Sequence, residues 1–512
     1  MTEFINHPEW GEILNFDHLR ANMPDSYDSV YPDFNVLAAL HVGSRTYGTD
    51  PSGLVAGGAS LIGFMMMLAA GEEELAQRVK ESVFSLGWTE EHTGSDLLSI
   101  QTSATLDPDV EGGRTYHIKG KKWMINNSFH ADYHTVLAKV DPTQRGPRSL
   151  SLFLVPRSSC KNWKRLDTRV LQKMVLTEFE IDGPGILCGK LGQGLSLVQQ
   201  TVMPAKFIPP YLAKVMLNES IEETIKHLSR RVIFEENPIN FSNVYRQVYN
   251  LTQQAAFLIF LYYRGLALSD SSFLQFHGTM MKSWMLLQST ELLSQNWLVI
   301  GAKGFTNEAF SGRDAIDSFI LPVFDGHYTL NTLMTFKQTG QYLEADRQES
   351  VEERMATLRE RLFKALPGRQ LYMKSREIRR PDFFDYVSYI HQLNIPVALD
   401  PAAVLNATEA LLNHLDETGL SSETEYKYKI GTLVFWLEAI LAACEMWALF
   451  GDDYANIIIQ QYNGMVKAYN DIVSEGALQV EFMQPMHELP IPNPDNKTAF
   501  LLQLLDIKSR DL

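Results

Sequence analysis

The chain has 512 residues, 45% of them hydrophobic, so it can bury a large core and is long enough for roughly three domains. Its formal net charge of -16, with a sequence pI near 5.3, disfavours nonspecific attraction to nucleic acid or to an anionic membrane surface. The three cysteines, Cys160, Cys188 and Cys444, lie far apart and lack metal-ligand spacing. We therefore predict a cytoplasmic globular protein without a metal site or a disulfide framework.

Two apolar segments approach the length of a membrane span, but their surroundings favour buried helices. Residues 53–71 carry no charge, follow the helix-start signal Asp50-Pro51-Ser52 and lead into an acidic run, which predicts a helix packed between other helices. Residues 433–450 are interrupted by Glu438 and Glu445, which are seven residues apart and therefore lie on one helical face. We predict an amphipathic bundle helix there and no membrane association.

The hydrophobic period changes along the chain in an order typical of α+β proteins. Residues 1–84 are predicted to be mostly helical. Residues 85–192 alternate between apolar and polar positions and form a predicted β-domain, with Gly183-Pro184-Gly185 among its turn signals. Residues 193–340 return to the helical period, and residues 341–512 are predicted to form an additional helical domain. Because helices and strands are segregated, an alternating βαβ fold is disfavoured.

The most informative motif is Thr89-Glu90-x-x-x-Gly94-Ser95-Asp96. Glycine lets the backbone come close to a flat ring, and the neighbouring N–H and hydroxyl groups can then hydrogen-bond to the polar edge of that ring. The same residue types also form capping turns at the ends of helices and strands. The motif alone therefore leaves a ligand-binding loop and a structural turn equally open.

Further motifs follow in a fixed order. They are Gly120-x-Lys122 through Asn127, Phe153-Leu154-Val155-Pro156, Gly189-x-x-Gly192-x-Gly194, Arg231-Val232-Ile233-Phe234 with Pro238-Ile239, Gly301-Ala302-Lys303-Gly304-Phe305, and Phe324-Asp325-Gly326-His327. Together with the first motif, this series resembles the acyl-CoA dehydrogenase family over about residues 55–335. The resemblance implies an α+β fold with an N-terminal helical domain, a central β-barrel-like domain and a C-terminal four-helix bundle, here followed by an extra helical region.

The resemblance also implies an FAD cofactor and a set of binding residues. The implied cofactor contacts are Thr89, Gly94, Ser95, Asn126, Arg231, Phe234, Gly301, Gly304 and His327, and the implied substrate contacts are Ser95 and Met124. In the family, the residue at Asn126 donates a hydrogen bond to the flavin N5, and the arginine at Arg231 reaches the pyrophosphate of FAD in a neighbouring subunit. An amide can still donate at the first position, and a planar permanent charge suits the second.

Asp325 stands where the family has its catalytic glutamate, twenty residues after Phe305. The implied reaction is α,β-dehydrogenation of an acyl thioester, in which Asp325 removes the α-proton and the flavin N5 accepts a hydride from the β-carbon. A cap aspartate at an Asp-Gly turn is the structural alternative. Aspartate is also one methylene shorter than glutamate, and a misplacement of ~1 Å can lower a rate about a hundredfold.

Several functional alternatives stay open at this point. The extra C-terminal region faintly resembles acyl-CoA oxidases, so the reduced flavin could be oxidised by O2 instead of an electron-transfer flavoprotein. A monooxygenase or a non-catalytic scaffold on the same fold are further alternatives. The substrate could be an acyl-CoA or, as in biosynthetic relatives, an acyl group on an acyl carrier protein. Residues 354–380 are rich in Arg and Lys, which predicts either a solvated helix face or a patch for such a carrier. The resemblance further implies a homodimer or homotetramer.

Overall fold

The computed structural model describes residues 51–79, 82–110, 113–172, 174–268, 274–343, 390, 393–475, 480–481 and 483–506. The chain divides into two compact units, Met1–Ile208 and Pro209–Leu512. The predicted N-terminal helices before residue 51 and the basic stretch at 354–380 lie outside the described residues. The division into four domains stays a prediction.

The first described helix, α1 (Pro51–Ala69), is the predicted buried helix. Its proline at the first position has a fixed φ that suits a helix start. Met66 and Met67 are fully buried. A Cβ on Gly63 would lie 2.7 Å from the Cβ of Phe84, so this glycine lets the helix approach the first strand closely. A short helix α2 (Glu73–Arg78) follows.

Seven strands form one sheet in the first unit. They are β1 (Phe84–Gly87), β2 (Ser103–Leu106), β3 (Thr115–Asn126), β4 (Tyr133–Lys139), β5 (Leu150–Pro156), β6 (Cys160–Leu166) and β7 (Leu176–Cys188). The order is β1-β4-β2-β3-β7-β5, with β6 paired to β7. Because β5 also pairs with β4, the sheet closes into a barrel-like ring. Its interior is filled by alternate apolar side chains such as Ile118, Val136, Phe153 and Phe179, as the strand pattern predicts.

The predicted turn at Gly183-Pro184-Gly185 is wrong, because β7 runs through it. Pro184 pairs with His117 in the register with β3. A Cβ on Gly183 would lie 2.9 Å from Ser159, and one on Gly185 would lie 2.9 Å from Ile118. Both glycines therefore provide close packing within the sheet instead of a change of direction.

The helices after the sheet are long. They are α3 (Gly194–Ala205), α4 (Ile208–Arg230), α5 (Ser242–Leu268), α6 (Leu274–Met280), α7 (Leu286–Ile300), α8 (Phe310–Ser318), α9 (Tyr328–Leu343), α10 (Pro401–Glu417), α11 (Thr424–Phe450), α12 (Ala455–Glu475) and α13 (Lys497–Leu505). The helical period predicts one uninterrupted helix over residues 271–298. Instead, a π-helical turn, Met281–Met285, separates α6 from α7. Such turns are rare and often occur at functional sites.

A buried ion cluster connects α5 to α11. Arg264 is fully buried and donates to Glu438 at 2.6 Å and to Glu445. The two glutamates share one helical face, as predicted, and that face is buried in the protein. Among the described residues, α11 is the one helix long and apolar enough to span a membrane, and 67% of its most apolar window is buried inside the protein. Both features are typical of a core helix in a globular protein.

Candidate active site

The Thr89–Asp96 motif forms an exposed loop that is held in place by the buried side chain of Glu90. Glu90 is buried, and its carboxylate accepts from the backbone N–H of Thr102 at 3.0 Å and from the Lys122 ammonium at 3.0 Å. Burial raises the pKa of Glu90, but the charge of Lys122 and the hydrogen bonds outweigh this effect and leave it lowered. Gly94 and Ser95 are exposed, and no atom lies within 4 Å of a Cβ placed on Gly94. The loop therefore has room for a ligand above it.

The predicted second flavin segment lies beside that loop. The backbone N–H of Trp123 donates to the carbonyl of Thr89 at 3.0 Å. The register between β3 and β7 shifts between Lys122 and Ile125. Met124 lies in this bulge with a φ of +57°, a left-handed conformation that is uncommon for a methionine. The bulge brings the predicted substrate contact Met124 into the same region as Thr89.

Asn126 is tied to the first helix through part of its side-chain amide. One N–H of its Nδ2 donates to the carbonyl of Val55 in α1 at 3.1 Å, which leaves the second N–H for another acceptor. The side-chain oxygen of Asn126 has no hydrogen-bond partner among the described residues. Asn126 can therefore offer a ligand both an acceptor oxygen and one remaining N–H donor.

Four buried polar atoms in these two segments have no hydrogen-bond partner. They are Trp88 Nε1, Thr93 Oγ1, Asn126 Oδ1 and Asn127 Nδ2. Buried polar groups without partners are costly, and most proteins pair them. The four atoms provide both donors and acceptors, so a heteroaromatic ligand with mixed polar edges fits this part of the unit.

Asp325 lies at a sharp turn in the second unit. Its φ is +52° and that of Gly326 is +99°. Asn331 Nδ2 donates to the carbonyl of Gly326 at 2.9 Å, which ties the turn to the first residues of α9. A non-glycine residue in this conformation costs of order 1 kcal/mol or more, and such residues are common at active sites. As a whole residue, Asp325 keeps an exposed surface at this turn.

Lys282 is the functional candidate that sequence reasoning missed. It is fully buried in the π-helical turn, donates to the carbonyl of Leu321, and its ammonium lies 4.8 Å from the ring centre of Phe324. Although one face of Asp325 is open, protein surrounds the carboxyl on its other sides, and this burial raises its pKa, while the charge of Lys282 lowers it. A single Lys in the apolar run 280–286 was the available signal.

Arg231 and Phe234 occupy an exposed turn. Ile233 and Glu236 pair across it, and Phe234 is 91% exposed. The two central residues, Phe234 and Glu235, have φ values of +50° and +65°. Arg231 is also exposed, and its side chain makes no hydrogen bond within the part of the chain that the structure describes. Its positive charge is therefore available to an anion.

Substitution Glu235→Gly should stabilise this turn. Glycine adopts positive φ without the steric cost that Glu235 carries, so the free energy of unfolding should rise by roughly 0.5–1 kcal/mol after the entropy of glycine is deducted. Urea denaturation followed by circular dichroism would measure this change. An unchanged or lower unfolding free energy would contradict the strain assigned to Glu235.

Residues 301–305 form a compact turn after α7. Gly301 has a φ of +75° and open space at its Cβ position. A Cβ on Gly304 would lie 2.7 Å from Trp297 Cδ1, and the carbonyl of Gly304 accepts from Trp297 Nε1 at 2.7 Å. The ring of Phe305 lies 4.7 Å from the Trp297 ring and is 64% exposed. Only glycine fits at position 304, whereas Gly301 allows the chain to leave the helix.

His327 stabilises the start of α9. Its Nδ1 accepts from the backbone N–H of Thr329 at 3.3 Å, and its carbonyl accepts from Leu330 and Asn331, so it caps the start of α9. Arg313 and Asp314 in α8 form an ion pair of 2.6 Å, in which Asp314 is fully buried and Arg313 is partly exposed. Asp314 accepts from Ser220 at 2.7 Å, and burial raises its pKa to about 7.

The predicted site residues fall into two groups. Thr89, Gly94, Ser95, Met124 and Asn126 belong to the first unit, where the loop and the bulge lie side by side. Arg231, Phe234, Gly301, Gly304, Asp325 and His327 belong to the second unit, in three separate turns.

Comparison with known proteins adds the decisive observation. Residues 85–178 match the family described as acyl-CoA dehydrogenase, middle domain. This segment of the chain is similar to the middle domain of the acyl-CoA dehydrogenases. The matched segment covers the loop, the bulge and most of the barrel-like sheet.

Individual acyl-CoA dehydrogenases and related proteins show how far the likeness extends. The short/branched chain specific acyl-CoA dehydrogenase of Rattus norvegicus, a mitochondrial protein, is 25% identical over 186 residues, or 35% of this chain and 42% of that relative. A solved acyl-CoA dehydrogenase from Bacillus anthracis, complexed with FAD, is 16% identical with a TM-score of 0.66, covering 99% of this chain and 90% of the other. The prolyl acyl carrier protein oxidase AnaB has 16% identity and a TM-score of 0.53, covering 64% of this chain and 88% of the other.

These values set the scope of the comparison. At such identities, the solved structures show a shared fold that contains a barrel-like sheet and helical regions. The chain spans less than half the length of the first curated relatives that it matches.

Proposed function

We propose that this protein binds FAD and catalyses the α,β-dehydrogenation of an acyl thioester. The observation that carries the proposal is the middle-domain match over residues 85–178, together with the partnerless polar atoms of the loop and bulge inside it. A related protein of known structure contains FAD, which supports the same cofactor here.

The residues present fit FAD chemically. Trp88, Thr93, Asn126 and Asn127 would meet the polar edge of the flavin with both donors and acceptors. Arg231, with its fixed positive charge, would meet the pyrophosphate. When bound, the flavin supplies the hydride acceptor for the reaction.

Asp325 would be the base that removes the α-proton. It lies on a strained turn, and burial of its carboxyl raises its pKa, which makes it a stronger base than an ordinary aspartate. The positive charge of Lys282 would favour the ionised form of the Asp325 carboxyl, which is the form that can accept a proton. The proton passes from the substrate α-carbon to Asp325, while the β-hydrogen leaves as a hydride.

The substitution Lys282→Met should move the pH dependence of turnover. The Lys282 charge lowers the pKa of Asp325, so its removal leaves burial unopposed and raises that pKa further. Because the base works deprotonated, activity is lost as pH falls through its pKa, and a higher pKa moves this loss to higher pH. Steady-state rates from pH 5 to pH 9 would show the shift. A profile identical to that of wild type, with the exposed Lys467→Met as control, would remove Lys282 from this role.

The same proposal includes the thioester carrier, the electron acceptor, the oligomeric state and the cellular location. The thioester is an acyl-CoA or an acyl group on an acyl carrier protein, and the electrons pass to an electron-transfer flavoprotein or to O2. A homodimer or homotetramer would give Arg231 a neighbouring cofactor to reach. Three free cysteines support a reducing, cytoplasmic location.

Absorbance spectroscopy of the purified protein is the first test. The proposal requires a flavin spectrum, or its appearance with saturable binding when FAD is added. Protein that neither retains nor binds FAD would favour a non-catalytic scaffold. Hydrogen peroxide formed during turnover would identify O2 as the acceptor and thus an oxidase.

A further inference from the structure

A ladder of three asparagines fixes the C-terminal part of the chain to α12. Asn456, Asn463 and Asn470 are seven residues apart, so they lie along one face of that helix. Each side-chain amide binds the backbone of one residue in the extended segment 483–489, which we call the strap. In each pair the asparagine Nδ2 donates to a carbonyl, and its Oδ1 accepts from the N–H of the same residue.

The pairs are regular and antiparallel. Asn456 binds Leu489 at 3.2 and 2.7 Å, Asn463 binds Met486 at 2.8 and 2.8 Å, and Asn470 binds Met483 at 2.9 and 3.0 Å. Seven residues of α-helix advance about 10.5 Å, and three residues of a polyproline II helix advance about 9.3 Å. A helix with heptad asparagines therefore matches a strap that repeats every three residues, and Pro485 and Pro490 favour that extended form.

The strap leads directly into α13. Asn496 caps this helix by accepting from the N–H of Ala499 at 3.0 Å. Tyr454, just before α12, donates to the carbonyl of Leu504 at 2.9 Å. Both ends of the segment 483–505 are thus attached to the region of α12.

The first turn of α13 contacts the region that carries Arg231. Thr498 and Ser229 share a hydrogen bond of 2.7 Å at the end of α4. The Lys497 ammonium donates to the carbonyl of Asn240 at 3.3 Å and lies 4.8 Å from the ring centre of Tyr245. The ring of Phe500 stacks on Tyr249 at 6.4 Å.

Asn240 connects α13 to the exposed turn that contains Phe234 and Glu235. Its side chain donates to Glu236 at 2.6 Å, and Glu236 closes the turn by pairing with Ile233. Asn237 Nδ2 donates to the carbonyl of Arg231 at 2.7 Å, which fixes the other end. The strained residues Phe234 and Glu235 therefore depend on a chain of polar contacts that begins at α13.

We propose that Asn456, Asn463 and Asn470 are positioning residues: by holding the strap, they keep α13 against Asn240 and fix the turn that presents Arg231 and Phe234 to FAD. This inference rests on the proposed cofactor. The three asparagines bind only backbone atoms of the strap, and they provide six of its hydrogen bonds to α12; Tyr462 adds one more, to the carbonyl of Gln484 at 3.0 Å.

The test combines hydrogen exchange with cofactor affinity. In the full-length triple variant Asn456→Ala, Asn463→Ala and Asn470→Ala, amides of the strap, of α13 and of residues 231–240 should exchange faster, while those of the barrel stay protected. FAD should bind at least about tenfold more weakly, because a few net hydrogen bonds correspond to that factor or more. Asn413→Ala, an exposed helical asparagine, is the matched control and should change neither measurement.

The outcomes separate the possibilities. Faster exchange in the strap with unchanged exchange at 231–240 and unchanged FAD affinity would overturn the proposal. If the triple variant fails to fold, Lys497→Ala tests the same link, since it removes only the contact of α13 with Asn240 and Tyr245. It should loosen residues 231–240, and full protection there would overturn the proposal. Wild-type protein that binds no FAD would refute the proposed function, whereas exchange at 231–240 would still decide whether the strap holds the turn.

Discussion

Substitution Asp325→Asn should lower the rate of flavin reduction by an acyl thioester about a thousandfold or more. The amide has nearly the same shape but cannot take up the α-proton, and general-base catalysis contributes typically 10²–10⁴-fold. Asn tolerates positive φ well, so the turn at φ +52° should stay intact. Stopped-flow absorbance under anaerobic conditions would measure the rate in a single turnover.

Two companion variants make this result specific. Asp416→Asn, on the exposed face of α10, should reduce the flavin at the wild-type rate. Asp325→Glu keeps a carboxylate and should be faster than Asp325→Asn, even if the added methylene displaces the base. Flavin content should be equal in all variants, because Asp325 is not proposed to hold FAD. A rate for Asp325→Asn within about tenfold of wild type would exclude Asp325 as the base.

Substitution Arg264→Met should lower the free energy of unfolding by about 3–5 kcal/mol at neutral pH. Arg264 neutralises Glu438 and Glu445 inside the protein, and its removal leaves two buried carboxylates without their cation. These carboxyls would have raised pKa values in the folded variant, so it binds more protons than the unfolded chain. The loss should therefore grow as pH rises from 5 to 8. Urea denaturation at both pH values would measure it.

A compensated variant distinguishes charge from shape. Arg264→Met combined with Glu438→Leu and Glu445→Leu removes the whole cluster, and apolar replacement of a buried ion cluster is often neutral or stabilising. Most of the lost stability should return. Lys226→Met, which removes the exposed pair with Glu222, should change the unfolding free energy by no more than about 0.5 kcal/mol. A loss below about 1 kcal/mol for Arg264→Met alone would contradict the importance of the cluster.

Much of the fold can be predicted from the sequence, because the hydrophobic periodicity of a strand or helix depends on residues that are close together in the chain. The strands predicted at residues 116–118 and 149–155 occur as β3 and β5. Burial alternates along β3, whereas β5 is buried on both of its faces. Gly183 and Gly185 mislead because the same residue type permits both turns and close packing, and only the neighbouring Ser159 and Ile118 decide between them.

The site is less predictable because its contacts are long-range. The motifs include the residues that form the loop at Thr89 and the bulge beside it. They do not predict the hydrogen bond from Asn126 to the carbonyl of Val55, because Val55 is 71 residues away in the chain. Likewise, the spacing of Glu438 and Glu445 predicts a shared face, but their partner Arg264 is 174 residues from Glu438. Lys282 was missed because a lone lysine in a helix is usually solvated, and its burial depends on the π-helical turn.

Anaerobic addition of acyl thioesters to the FAD-loaded protein tests the central claim most directly. Short and long acyl-CoAs and acyl groups on an acyl carrier protein would be added in turn while the flavin absorbance is recorded. The proposed dehydrogenation predicts bleaching of the oxidised flavin by at least one of these thioesters. Saturated FAD whose absorbance stays unchanged with every thioester would contradict it.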